Sequence, residues 1–265
     1  MQNETIGKTF AVALGVCLVS SIFVSYAAVS LRDKQIENKK LDKVKNILIA
    51  GNLYDQSRSI QEIYNQYIKA EIIDLKTGDP LPQDQYNDDL NPDDFDIQAI
   101  ADNPDYSEPL PAEKDIAGIR RLPRYMAVYR VIEDGELTRI IVPVFGKGLW
   151  STLYGFLAID KDFKTASGLT FYQHGETPGL GGEVDNPLWK ASWKGKQLLD
   201  DQGNVLIEVI KGKVVPSSPK ADHQVDGLSG ATLTTRGINS LIRFWLGENG
   251  YGPFLKKLKE GSNNE

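Results

Sequence analysis

Residues 125–174 read YMAVYRVIEDGELTRIIVPVFGKGLWSTLYGFLAIDKDFKTASGLTFYQH, and this stretch decides the fold. Met126–Ile132 and Leu137–Phe145 are rich in β-branched and aromatic residues and flank Glu133-Asp134-Gly135-Glu136. Asp-Gly between two such runs signals a hairpin, because both central positions of the tight turn need positive φ. Gly155–Asp160, Gly168–His174 and Val205–Ile210 predict further strands. Strands in local succession with few helices between them predict an α+β fold with a mostly antiparallel sheet and flanking helices, not a doubly wound one.

Downstream, Leu180–Leu198 reads as partly helical, with Trp189 and Trp193 one turn apart. Thr234–Leu246 is an amphipathic helix whose apolar side carries Ile238, Leu241, Ile242 and Trp245. Upstream, Gln35–Ala50 and Ser57–Ala70 show helical apolar spacing, and Gly51-Asn52 ends the first of them. Between helices and sheet, Asp79–Asp115 holds twelve Asp/Glu, one Lys and six Pro. Such a composition predicts an extended, solvated insertion. Asp88, Asp89, Asp93, Asp94 and Asp96 cluster there, but the spacing fits no EF-hand loop and lacks its central glycine.

Phe10–Leu31, FAVALGVCLVSSIFVSYAAVSL, carries no charge. As a helix it would reach about 33 Å, enough for a hydrocarbon core of about 30 Å. A cleaved signal peptide would have a shorter apolar run, and here a helical pattern continues past the span, so an anchor is expected. Lys8 alone precedes the span, whereas Arg32, Lys34, Lys39, Lys40, Lys43 and Lys45 follow it. By charge count alone the large C-terminal part belongs in the cytoplasm.

The chain has 265 residues and a net charge of −6, which argues against nucleic acid as the main partner. Cys17 is the single cysteine, and the two histidines, His174 and His223, lie far apart in sequence. No metal site is expected from such a set.

Asp226–Thr235 reads DGLSGATLTT and places the hydroxyls of Ser229, Thr232, Thr234 and Thr235 just before the amphipathic helix. Thr232 or Thr234 is expected to cap that helix, with Arg236 adding positive charge in its first turn. Two readings fit these residues: a helix end that accepts a phosphate, or an ordinary N-cap behind a Gly-rich approach. The Ser229-Gly230-Ala231-Thr232 core resembles the flavinylation motif of bacterial FMN-binding domains. That resemblance implies FMN joined covalently by a phosphoester to Thr232, installed by a flavin transferase.

A second stretch, His174–Pro187, reads HGETPGLGGEVDNP. Its glycines and Pro178 predict a tight loop after a strand, and it lacks the full dinucleotide-binding fingerprint. It is similar to the ETPGLG segment of the C subunit of the sodium-translocating NADH:quinone reductases. The resemblance implies that Glu176, Thr177 and Leu180 contact the isoalloxazine ring. It extends to KKLDKVKNILIAGNLYD, to GKGLWSTLYGFLAID and to the single apolar span, and within the second of these segments Trp150 and Tyr154 are expected in the core.

The implied function is electron relay inside a multisubunit inner-membrane translocase, with no catalytic residue assigned to this chain. Its partners would be the other membrane and redox subunits. The resemblance also implies a periplasmic C-terminal domain, against the charge count; a long translocated domain overrides nearby Lys and Arg. The G subunit of the Rnf electron-transport complex is the nearest alternative, and a membrane-tethered interaction protein without cofactor a more distant one. The expected plan is a tail at 1–9, a transmembrane helix at 10–31, a helical segment and acidic insertion at 32–124, an FMN-binding domain at 125–256 and a tail at 257–265.

Overall fold

The computed structural model describes residues 6–262; positions 1–5 and 263–265, in the two expected tails, lie outside the described residues. Helix α1 runs over Ile6–Ala50, longer at both ends than the expected span and continuous with the predicted Gln35–Ala50 helix. It is long and apolar enough to cross a membrane. It stops at Gly51-Asn52, where Asn52 takes a left-handed φ of 56°. Among the described residues, those up to 42 and those from 43 onward form separate compact units.

In the larger unit, α2 spans Ile60–Tyr67 and β1 follows at once, Ile68–Asp74. The expected helix through Ala70 therefore ends three residues early. Ile68–Asp74 carries no strong strand signature of its own, and the antiparallel partner, not local propensity, makes it a strand. The acidic segment contains α3 (Ile97–Asp102) and β2 (Ser107–Pro109), and β3 (Arg121–Pro123) pairs with β2. β4 (Tyr125–Glu133), β5 (Glu136–Lys147), β6 (Thr152–Asp160) and β7 (Ala166–Gln173) then follow in succession.

The main sheet has the order β1-β4-β5-β6-β7, antiparallel throughout. Asp134 and Gly135 both take positive φ, 53° and 86°, as the β4–β5 turn requires. The sheet crosses the expected 124/125 boundary, since β1 lies on β4 from Ile68↔Val131 to Asp74↔Tyr125.

The acidic segment is not the solvated insertion its composition predicts. Leu81, Leu90, Phe95, Ile97 and Ile100 are buried in the common core. Its polar residues turn the chain. The Asn87 side chain accepts from the amides of Asp89 and Leu90, Asn91 from Asp93, and Asp96 from Gln98 and Ala99. A tally of charge misses this, because the carboxylates stay at the surface while the apolar residues between them turn inward.

Beyond β7 come a 3-10 turn over Gly181–Asp185, helix α4 (Pro187–Ala191) and a short parallel pair, β8 (Glu208–Val209) with β9 (Gln224–Val225). Of the predicted Val205–Ile210 strand only those two residues form. Helix α5 (Thr232–Leu246) lies on β5, burying Ile238, Leu241, Ile242 and Trp245 as predicted. The Trp245 indole N–H donates to the Phe145 carbonyl at 2.6 Å, and the Tyr251 hydroxyl to the Pro143 carbonyl at 2.7 Å. Helix α6 (Gly252–Ser262) continues through the first part of the expected C-terminal tail.

Candidate functional site

Three chain segments meet at the N-terminal end of α5. The first is Gly148–Ser151, the turn between β5 and β6. The second is Glu176–Gly182, after β7, and the third is Asp226–Thr232 with the first turn of α5. Helix α5 approaches closely because Gly237 has no side chain: a Cβ there would strike the Lys147 carbonyl and come within 3.2 Å of the Gly148 Cα.

The Asp226–Ala231 loop is held from several sides. An Asp226 carboxylate oxygen accepts from the Val214 amide at 2.8 Å, and the Asp226 carbonyl accepts from the Trp189 indole at 2.9 Å. The Gly227 amide donates to the Gly212 carbonyl at 2.8 Å. The Leu228 amide donates to the buried Thr235 hydroxyl at 3.0 Å. Gly230 has φ +72°, a left-handed conformation that lets the chain turn into the helix. Ser229 and Gly230 are exposed, Ala231 is buried and Thr232 is half-buried.

The expected side-chain cap is not made. Ala231 is the N-cap, and neither Thr232 nor Thr234 caps the helix; Thr232 is its first residue. Thr235 is occupied with Leu228 and Thr234 with Glu176. The amides of Thr232, Leu233 and Thr234 donate to no protein acceptor among the described residues. An uncapped helix start beside a hydroxyl is what a phosphate group can occupy, through aimed N–H donors and the helix dipole. Arg236 falls in the second turn and is exposed, not in the first turn as predicted.

Opposite this helix start lies the Glu176–Gly182 loop. The buried Glu176 carboxylate accepts from the Thr234 hydroxyl at 2.6 Å with one oxygen. Its other oxygen accepts from the Trp150 and Ser151 amides at 3.0 and 3.3 Å. Burial raises the Glu176 pKa, but the hydrogen bonds from Thr234, Trp150, Ser151 and Leu149 outweigh it and hold the carboxyl below its ordinary range. Thr177 is exposed. Leu180 is 44% exposed, and a Cβ on Gly230 would stand 2.9 Å from its Cδ2.

All seven predicted site residues thus fall at one joint. Thr232, Ser229, Gly230 and Ala231 form one side; Glu176, Thr177 and Leu180 form the other. Trp150 is not in the core as predicted: it is 67% exposed and sits on the turn that Glu176 holds. Leu149 and Leu233 are exposed on the same segments, so apolar side chains open to solvent flank the open amides. Sequence reasoning missed the hydroxyl of Thr234 as the link to Glu176. The arrangement fits a flavin nucleotide, with donors for the phosphate end and apolar cover for the ring.

The profile of the FMN-binding domain family matches residues 148–247, which include all three segments of the joint. The fold and site therefore define an FMN-binding flavoprotein of electron transport. The C subunit of the Na(+)-translocating NADH-quinone reductase of Pseudomonas aeruginosa is 50% identical over 98% of both chains. Its Yersinia pestis counterpart is 47% identical over 98% of this chain and 96% of its own. A crystal structure of Shewanella oneidensis NqrC is 38% identical, with a TM-score of 0.75 over 84% of this chain and 99% of that one. The chain belongs to the NqrC family, the C subunits of the Na(+)-translocating NADH-quinone reductases, and so to a complex with other subunits.

Proposed function

We propose that this chain relays electrons between redox centres of its partner subunits through FMN held covalently on Thr232 by a phosphoester. The observation that supports this most is the meeting of two segments 58 residues apart, Glu176 on the loop after β7 and Thr234 in the first turn of α5, beside a half-buried Thr232 in that uncapped turn. FMN, when bound, supplies a centre able to take up one or two electrons.

This chain's residues do the holding. The amides of Thr232, Leu233 and Thr234 would face the phosphate. Ser229, Gly230 and Ala231 present the Thr232 hydroxyl to the flavin transferase. Leu180 and Thr177 would lie along the ring. Activity then depends on partner subunits that supply and accept electrons. Helix α1 anchors the chain in the inner membrane, and the compact domain lies in the periplasm.

Fluorescence of the denatured chain in a gel, which only covalent flavin survives, tests the linkage. Thr232→Ala abolishes the signal, while Thr234→Ala and Thr235→Ala keep it; a fluorescent Thr232→Ala chain moves the attachment elsewhere. A reporter fused after Glu265 is active in the periplasm, and purely cytoplasmic activity reverses the orientation.

A further inference from the structure

Glu176 is the only buried acidic residue among the described residues, and no Lys, Arg or His side chain there forms an ion pair with it. Donors from two separate parts of the chain compensate its charge: the backbone of the 148–151 turn and the hydroxyl of Thr234. The glycines around it leave the room it fills. A Cβ on Gly148 would stand 2.5 Å from one carboxylate oxygen, and a Cβ on Gly181 2.8 Å from the other. The Glu176 amide donates to His174 Nδ1 at 3.2 Å, and His174 Nε2 faces an Asp185 carboxylate oxygen at 2.9 Å. The backbone of the loop is therefore fixed as well as its side chain.

We infer that Glu176 is a positioning residue, whose carboxylate clamps the Gly148–Ser151 turn and the Glu176–Gly182 loop to the first turn of α5 through Thr234. Both its oxygens are engaged by the protein, so its effect on the ring is exerted through the placement of Leu180, Leu149 and Trp150. This rests on Thr232 as the attachment point, because the clamp closes two residues further along the same helical turn. Without it, the threonine and the loop facing it would move independently, and the tethered ring would sample several orientations. Charge-assisted hydrogen bonds suit this task, being short and stronger than neutral ones.

The test uses the full-length chain in detergent, without and with flavin. In the flavin-free chain, amide exchange at Trp150 and Ser151 reports on the clamp. Thr234→Val and Glu176→Gln speed that exchange by about tenfold, the scale of one lost charge-assisted bond. Thr234→Ser restores it. In the flavin-loaded chain, the visible circular dichroism of the flavin changes in Thr234→Val and Glu176→Gln and returns in Thr234→Ser, with the covalent linkage intact in all three. Exchange at wild-type rates in both Thr234→Val and Glu176→Gln overturns the clamp, as does a flavin spectrum that none of the variants alters. A wild-type chain with no covalent flavin overturns the Thr232 reading instead, and the exchange measurement still stands.

Discussion

The two halves of helix α5 differ in what they do with the same backbone. The C-terminal half buries Ile238, Leu241, Ile242 and Trp245 on β5, and the Trp245 indole is tied to a strand carbonyl. The N-terminal half has an alanine for its cap, leaves Leu233 exposed and begins at a half-buried Thr232 directly after a glycine-rich loop. A helix optimised for stability alone would begin on a capping side chain, worth about 1 kcal/mol. Here two threonine hydroxyls close by are directed elsewhere, to Glu176 and to Leu228. The packed half fixes the position of the open half, where the proposed flavin attachment lies.

Removing a large side chain should separate the two halves most clearly. Trp245→Ala costs about 4–5 kcal/mol of stability, since it leaves a cavity and an unpaired Phe145 carbonyl. Thermal unfolding of the full chain followed by near-ultraviolet circular dichroism measures this. Phe95→Ala, in the acidic segment, costs about 3 kcal/mol by the same measurement. A change within about 0.5 kcal/mol, the size expected of a surface site, would return that segment to a solvated insertion.

Thr235→Ala costs about 1 kcal/mol through the loss of the acceptor for the Leu228 amide, and it keeps the flavin. Glu176→Gln has the most condition-dependent effect. The folded carboxyl titrates below its ordinary range, so its ionised form stabilises the fold above about pH 4.3, and that contribution is lost as pH falls through the folded value. The stability gap between wild type and Glu176→Gln therefore narrows on acidification. A gap that stays constant from neutral pH to about pH 3 contradicts this.

The sheet was legible because its signals are local. β-branched runs and one Asp-Gly turn suffice to define β4, β5 and the hairpin that joins them, though not the register shift between Val131 and Ile132. The apolar face of α5 was legible for the same reason. Ile68–Asp74 was not, because it continues the helical spacing of the residues before it and becomes a strand only by pairing with β4. The acidic segment misled by composition: the carboxylate and amide side chains that make it polar also form its turns, and Phe95 and Ile100 fill the core between them.

At the site, all seven residues found by resemblance fall at one place in the fold. What sequence could not show was how they are linked. Thr234 and Glu176 lie 58 residues apart, and nothing local says that one hydroxyl donates to that carboxylate. Nor does the sequence tell a buried tryptophan from the exposed Trp150, because the turn that holds it outward is fixed by the same carboxylate.

Mass spectrometry of the peptide spanning Asp226–Arg236, isolated from native membranes, decides whether Thr232 carries the flavin. One flavin mononucleotide is expected on that peptide, with fragment ions placing it on Thr232. An unmodified peptide from a colourless protein, or a flavin on any other side chain, would contradict it.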